Sequence, residues 1–247
     1  MSLPDLALQI IYGRLAWALV AAAVLLSLLP RFMPARFPVV GRRLIATVVG
    51  VMVALMALPG AASPAYSLIL VFQYPSGLML GCCVVSLLAR WRGREVRFAL
   101  RPGLALALAV AGLVLYLDAF GVLSLGLYYG GFGPVAAPLL ACLGAAACAV
   151  AIVRGQAAGS ASALLIGVML FSLLRLPSGN LWDALLDPLL WAWALGSAIA
   201  AAVRWNALRK AIASPTLQPV QPLQPGPVPE LDPELLPAHA AGIDKQL

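Results

Sequence analysis

Charged residues are scarce in this chain. Asp, Glu, Lys and Arg make up 10% of its 247 residues, whereas a soluble domain carries about 25%. Hydrophobic residues account for 63%, and the mean hydropathy is +0.98. A water-soluble fold of this size needs polar and charged side chains to cover its surface, so the composition excludes a soluble globular protein. It predicts that lipid is the solvent of most of the chain.

Residues that bind metals or perform catalysis are also few. The single histidine is His239, near the C-terminus. The four cysteines lie within apolar runs and lack the spacing and the histidine neighbours of a zinc site; they are Cys82, Cys83, Cys142 and Cys148. The sequence contains no nucleotide-binding P-loop, no His-Glu-x-x-His and no Gly-x-Ser-x-Gly motif. It therefore predicts no metal, no cofactor and no catalytic residue, and favours a protein without enzymatic activity.

Ionisable side chains are missing from the centres of the apolar runs. Such groups inside a membrane are the usual mark of proton relays, ion coupling and paths for charged substrates. Their absence argues against a proton-driven pump.

Apolar runs between breakers predict seven transmembrane helices, because a spanning helix needs about 20 mostly apolar residues. Their approximate bounds are 15–29, 44–62, 66–89, 104–120, 135–153, 158–174 and 189–203. We therefore expect an all-α, polytopic membrane helical bundle over residues 1–210, with no removable signal peptide ahead of it.

The basic residues predict how these helices are oriented. Of the 16 Lys and Arg residues, 14 follow the first, third, fifth or seventh run, and only Arg14 and Arg175 fall on the opposite side. Positive residues concentrate in cytoplasmic loops. This pattern places the N-terminus outside and the C-terminus in the cytoplasm, in a bacterial cytoplasmic (inner) membrane. It also accounts for the net charge of +7 without nucleic acid as a partner.

A polar stretch made of Gln73, Tyr74, Pro75, Ser76 and Gly77 interrupts the third run. Counted at about 1.5 Å per residue from Arg90 at the inner end, it lies in the outer third of a hydrocarbon core about 30 Å thick. Because proline lacks an N–H and clashes with the preceding turn, we expect a kinked helix there. The side chains of Gln73 or Ser76, or an ordered water, are expected to bind the carbonyl groups that the kink frees.

Two segments on the outer side collect most of the other polar groups. Residues 120–134 contain Tyr128 and Tyr129 among several glycines. This segment is either a connecting loop or a re-entrant segment that dips into the outer leaflet.

The second outer segment, residues 175–188, is expected to form an interfacial amphipathic helix. Ser178 or Asn180 can cap it. Asp183 and Asp187 are four residues apart, so they should share one face of that helix, where carboxylates are usually solvated.

Nine residues of the outer side form the candidate substrate-binding set. They are Gln73, Tyr74, Ser76, Asp118, Tyr128, Tyr129, Arg175, Asp183 and Asp187. Arg175 is expected to pair with one of the three carboxylates. The carboxylates could also bind a cation or act as acid and base.

Three functions from different classes fit this pattern. The leading hypothesis is a non-catalytic membrane subunit or accessory protein of a bacterial envelope complex, because the helices are rich in small residues that allow close packing. Its partners would be membrane lipids and other membrane proteins. An alternative is a small carrier or flippase-like protein for a neutral or amphiphilic substrate, with an outward-facing vestibule near Gln73, Ser76, Tyr128 and Asp183. A weaker alternative is an envelope enzyme that uses the outer carboxylates.

The last 37 residues, 211–247, differ from the rest and hold 8 of the 20 prolines. Gln-Pro pairs recur every third residue from Gln218 to Pro225, which is the period of a polyproline II helix. This pattern predicts a disordered cytoplasmic tail, which is either a spacer or a strip that docks onto a cytoplasmic partner.

Overall fold

The computed structural model of the protein describes residues 5–32, 41–94, 102–155 and 158–213. Within these ranges the chain is helical and has no β-strand, so the all-α prediction is confirmed for the described residues. The unit Met1–Trp205 is compact, and a second unit begins at Asn206. From residue 214 onward, the predicted proline-rich tail lies outside the described residues.

Ten α-helices and one short 3-10 turn, Gly60–Ala62, make up the described part of the chain. The helices are α1 (Leu6–Phe32), α2 (Arg42–Met56), α3 (Pro64–Phe72), α4 (Gly77–Trp91), α5 (Pro102–Ala119), α6 (Leu127–Gly130), α7 (Ala136–Val153), α8 (Ala158–Leu174), α9 (Leu181–Leu185) and α10 (Pro188–Ala213).

Three helical stretches are long and apolar enough to cross a membrane: Leu6–Pro30, Pro102–Ala119 and Ala136–Val153. Two shorter helices, Gly77–Trp91 and Ala158–Leu174, are also apolar. These helices are those of a membrane protein, as the composition indicates. A helix occupies each of the seven predicted segments, although the third segment contains two helices, α3 and α4.

The first helix is longer than the sequence analysis predicts. It begins at Leu6 instead of residue 15 and continues through Arg14. Arginine has a high helix propensity, so one charged residue near the end of an apolar run does not end the helix. Asp5 starts it, since the Asp5 carboxylate accepts a hydrogen bond from the backbone N–H of Ala7 at 2.9 Å and caps the first turn.

Small residues bring α4 and α8 into direct backbone contact. Gly77 lies against Gly167, and Gly81 lies against the carbonyl group of Ala163. A Cβ atom at Gly81 would overlap that carbonyl group. Small residues spaced by four are the usual means by which membrane helices approach closely, and here Gly77 and Gly81 face Gly167 and Ala163 in that spacing.

A second packed region surrounds the middle of α1. Trp17 and Leu26 of α1 pack with Ile45 of α2, Ala65 of α3 and Cys83 of α4. This cluster fixes α3 and α4 against the same helix. It determines what the polar stretch between α3 and α4 can contact.

The connection between α8 and α10, residues 175–187, is inserted among the helices instead of lying on their surface. Asn180, Leu181 and Ala184 are buried, and Asp187 is buried as well. The Ala184 carbonyl group lies next to Gly77 and Gly167. The helix expected over residues 175–188 is present only as the five-residue α9, which packs against the bundle because glycines of α4 and α8 leave room for its backbone.

Candidate functional site

The polar stretch of the third segment interrupts the helix completely. α3 ends at Phe72, α4 begins at Gly77, and residues 73–76, called the break below, connect them. Gln73 adopts φ 64° and ψ −155°, a conformation found almost only at glycine. The prediction of a single kinked helix is therefore wrong, because the chain at Gln73 leaves helical geometry before Pro75 is reached.

Side chains of α1 bind the carbonyl groups that the break exposes. The Tyr12 hydroxyl donates to the Pro75 carbonyl oxygen at 2.6 Å, and Trp17 Nε1 donates to the Gln73 carbonyl oxygen at 3.1 Å. The expectation that Gln73 or Ser76 would do this is wrong. Ser76 instead caps α4, since its hydroxyl accepts from the Met79 N–H at 3.1 Å.

Asp187 joins the break to the start of α10. Its Oδ2 accepts a hydrogen bond from the backbone N–H of Ser76 at 2.7 Å, and its Oδ1 accepts from the N–H of Leu190 at 2.8 Å. The N-termini of α4 and α10 therefore meet at one buried carboxylate, whose charge both helix dipoles stabilise. Asp187 lies outside α9, so it does not share a helical face with Asp183, contrary to the prediction.

Asp118, at the end of α5, organises the loop that follows. Its carboxylate accepts three backbone hydrogen bonds, from Leu125 and Gly126 at 2.8 and 2.9 Å and from Tyr128 at 2.8 Å. Gly126 has a φ of 67°, which glycine adopts without strain. Asp118 therefore holds residues 120–134 together, and one short helix, α6, lies in the second half of this segment.

Asp183 forms the centre of a hydroxyl–carboxylate cluster. The Ser178 hydroxyl donates to Asp183 Oδ2 at 2.5 Å, and the Tyr128 hydroxyl donates to Oδ1 at 3.2 Å. Burial raises the pKa of the Asp183 carboxyl, and the hydrogen bonds from Ser178 and Tyr128 oppose this shift. Burial and the nearby Asp183 charge also raise the pKa of the Tyr128 hydroxyl, so that hydroxyl stays protonated and keeps its role as a donor.

Asn180 links the α8–α10 connection to the loop at α6 by hydrogen bonds. Its Nδ2 donates to the Tyr128 carbonyl oxygen at 3.2 Å, and its Oδ1 accepts from the Trp182 N–H at 2.9 Å, which confirms it as the cap of α9. The Leu181 N–H donates to the Gly131 carbonyl oxygen at 3.1 Å. A Cβ atom at Gly131 would overlap Asn180 Oδ1, so glycine is required there for this contact.

Arg175 forms no ion pair with the carboxylates of the described residues. In the described part of the chain Asp118, Asp183 and Asp187 accept hydrogen bonds from other groups, and the Arg175 guanidinium lies over the Phe171 ring, 4.9 Å from its centroid. Its Nη1 is buried without a hydrogen-bond partner among the described residues. The predicted pairing of Arg175 with a carboxylate is wrong.

The nine predicted residues thus fall into two groups and two outliers. Gln73, Tyr74, Ser76 and Asp187 lie at the break, where the Tyr74 ring packs against Gly13. Asp118, Tyr128 and Asp183 lie together at the loop. Tyr129 is exposed and makes an edge-on contact with Tyr128, and Arg175 stands apart.

The residues that the sequence analysis missed are the donors of the break, Tyr12 and Trp17. They occur in an apolar helix, where no local pattern distinguishes a hydrogen-bonding aromatic residue from a packed one. In the ranges that the structure describes, no group of three His, Cys, Asp or Glu side chains could hold a metal ion.

Both groups connect elements of the fold through internal hydrogen bonds. Ser178 and Asp183 have the spacing of a nucleophile and a base, yet the Ser178 hydroxyl also accepts from the Asn180 N–H at 3.3 Å, as a turn residue does. In both groups, carboxylate and aromatic side chains stabilise irregular backbone by hydrogen bonds. No protein-family model matches the sequence, and no curated protein or solved structure is significantly similar to it.

Proposed function

We propose that this chain is an integral membrane subunit or accessory protein of a bacterial envelope complex, without catalytic activity of its own. The observation that carries the proposal is the contrast between its polar and apolar groups. The outer carboxylates are engaged in hydrogen bonds that hold the chain together, whereas the long apolar helices are largely uncovered. Only 22% of the α5 span and 17% of the α7 span are buried, compared with 50% of the α1 span.

The uncovered surface of α7 supports a role in assembly. It presents large apolar side chains at Leu139, Leu143 and Val150, and the small residues Cys142 and Ala146 are exposed between them. Small residues allow a second helix to approach closely, and large ones fill the space around the contact. The α7 surface therefore suits a helix of a partner protein as well as lipid.

Mild-detergent purification tests this function. The full chain should retain membrane-protein partners, and Ala146→Phe, which blocks close approach to α7, should release them. Leu106→Phe on α5 is the matched control, because it exchanges one exposed large apolar side chain for another. Recovery of the wild-type chain without any other protein, together with normal envelope integrity in a deletion strain, would contradict the proposal.

The seven-crossing topology, with the N-terminus outside and the C-terminus in the cytoplasm, is part of the proposal. It follows from the distribution of arginine described above, and the inner membrane is the corresponding location. In a variant whose four cysteines are replaced by alanine, Phe120→Cys should react with a membrane-impermeant thiol reagent from outside. Ser214→Cys should react only after the membrane is opened. The reverse labelling pattern would overturn the topology.

The carrier alternative is the second candidate, and the position of Gln73 is what favours it. The Gln73 side chain is exposed, as a vestibule residue must be. Ser76, however, is completely buried and bound at both its N–H and its hydroxyl group, so it is not a natural part of a vestibule wall. Flux of a fluorescent lipid through vesicles that contain the purified chain, lost in Gln73→Ala, would favour a carrier over a subunit.

A further inference from the structure

Arginine is concentrated in the two connections that follow α1 and α4. Residues 31–43 contain four arginines and no acidic residue, and residues 90–101 contain five arginines and one acidic residue, Glu95. Nine positive charges are therefore accompanied by a single negative charge. Such an excess attracts anions.

The structure brings these two connections together at one end of the bundle. Arg42 Nε donates to the Trp91 carbonyl oxygen at 2.8 Å, which joins the start of α2 to the end of α4. Arg90 Nη1 donates to the Leu26 carbonyl oxygen at 3.4 Å, which joins the end of α4 to α1. Arg92 directly follows Trp91. Arg42, Arg90 and Arg92 are called the arginine cluster below.

The carboxylates of the described residues do not neutralise this cluster. Each of the four accepts hydrogen bonds from other groups: Asp5 at the start of α1, Asp118 in the loop after α5, Asp183 at the hydroxyl cluster and Asp187 at the starts of α4 and α10. The positive charge of the arginine cluster is therefore not paired by any carboxylate that the structure describes.

Arg90 has unused hydrogen-bond donors. A guanidinium carries five N–H donors, and the bond to Leu26 is the one that Arg90 forms with a described residue. Its Nε is buried and has no partner within the described ranges. An unpaired polar group in such surroundings costs free energy, so a further acceptor would stabilise this arrangement.

The arginine cluster lies at the boundary between acyl chains and headgroups. Leu26, which contacts Arg90, is four residues before Pro30, where the apolar span of α1 ends. Leu88 of α4 is 50% exposed, as expected of a residue that contacts acyl chains. The Arg92 N–H donates to the Leu88 carbonyl oxygen at 3.0 Å, so Arg92 lies one helical turn beyond that contact. This level holds whichever way the bundle faces.

We propose that the arginine cluster binds the phosphate group of an anionic phospholipid. A guanidinium binds two phosphate oxygens at once, and basic groups between membrane helices bind anionic headgroups. A zwitterionic headgroup carries a cation of its own, which the excess of arginine repels, so the lipid is one with a net negative charge. The inference does not rest on the proposed function, because a lipid binds without any partner protein.

Free phosphate offers the same oxygen atoms but has no acyl chain. The exposed Leu88, one turn below Arg92, supplies an apolar contact that only a lipid uses. A lipid therefore satisfies both the charged and the apolar part of this surface.

Native mass spectrometry of the full chain in mild detergent tests the site. Phosphatidylglycerol and phosphatidylcholine with identical acyl chains are added at equal concentrations, and the wild-type chain should bind phosphatidylglycerol at least about tenfold more tightly. Arg90→Gln and Arg42→Gln should each weaken this binding about fivefold, the contribution of one basic residue near an anionic headgroup. Arg90→Lys keeps the charge but loses the planar fork, so it should weaken binding only about twofold.

Arg154→Gln is the matched control. Arg154 ends α7, which packs against α8, and the start of α8 lies at the same end of the bundle, since Gly159 contacts Val85 of α4. The variant removes the same charge outside the arginine cluster and should leave phosphatidylglycerol binding unchanged. A large excess of inorganic phosphate should not displace the lipid.

Thermal unfolding in nanodiscs separates loss of the site from loss of the fold. The melting temperature of the wild-type chain should rise with the fraction of phosphatidylglycerol, because a ligand of the folded state stabilises it. Arg42→Gln changes an exposed residue, so it should melt like the wild type in pure phosphatidylcholine and gain less from phosphatidylglycerol.

Three results would overturn the proposal. One is equal binding of the two lipids by the wild-type chain. Another is an equal loss for Arg154→Gln and Arg90→Gln, which would show diffuse attraction instead of a site. The third is displacement of the lipid by inorganic phosphate, which would assign the arginine cluster to a soluble anion.

Discussion

Asp187 gives the sharpest test of how the irregular backbone is held inside the bundle. The Asp187→Asn substitution keeps one acceptor oxygen and replaces the other with an N–H₂ group, which faces a backbone N–H of either Ser76 or Leu190. One charge-assisted hydrogen bond is lost, which costs about 1.5–3 kcal/mol. The loss of the charge between two helix N-termini adds about 0.3–1 kcal/mol for each. We therefore expect the free energy of unfolding to fall by about 3 kcal/mol.

The assay is equilibrium unfolding in mixed micelles, followed by the fluorescence of the six tryptophans. Asp183→Asn is the matched control, with the same chemical change four residues away. Its partners are the hydroxyl groups of Ser178 and Tyr128, which can rotate, and burial already disfavours the Asp183 charge. It should cost less than about 1 kcal/mol. A loss below about 1 kcal/mol for Asp187→Asn, or equal losses for the two variants, would refute the reasoning.

Three further predictions follow from other contacts. Gly81→Ala places a Cβ atom against the Ala163 carbonyl group and should lower the free energy of unfolding by about 1–3 kcal/mol. Gly196→Ala, where the space around an added Cβ is open, should leave it equal or higher in the same micelle titration. Gln73→Gly relieves a backbone strain of about 1–3 kcal/mol and adds a chain-entropy cost of about 0.5–1 kcal/mol, so the free energy of unfolding should rise by about 1 kcal/mol. Burial raises the pKa of Asp183, so from its ordinary value near 4 up to the raised value the folded chain holds more protons than the unfolded chain. The free energy of unfolding should therefore fall as pH rises through that window, and Asp183→Asn should remove this slope in titrations at several pH values.

The break shows how much of the structure can be predicted from local sequence. Pro75 and its polar neighbours indicate that regular helix cannot continue through them, and that much is correct. The extent of the interruption and its partners depend on Tyr12 and Trp17, which are more than fifty positions away. The sequence of α1 carries no mark of this role, because a buried aromatic residue packs in the same way whether or not its polar end has a partner.

In the α8–α10 connection, a local sequence pattern predicts a structure that does not form. The four-residue spacing of Asp183 and Asp187 is that of a solvated helical face, yet α9 ends before Asp187. Asn180, one of the two candidate caps that the sequence offers, does cap α9, since capping depends on neighbouring residues alone. Its bond to the loop at Tyr128 was not foreseen.

Composition and hydrophobic run length determined the class of this protein and the approximate positions of its long apolar helices. Polar backbone groups exposed to lipid cost free energy, so long apolar runs form helices, in which each backbone group bonds within its own segment. This requirement depends on local sequence alone. Only the tertiary structure decided which carboxylate binds which backbone group. It also decided that Arg175 binds none of the three carboxylates. Those pairings depend on distances between segments that are far apart in the chain, and close contacts at Gly77 and Gly81 set those distances.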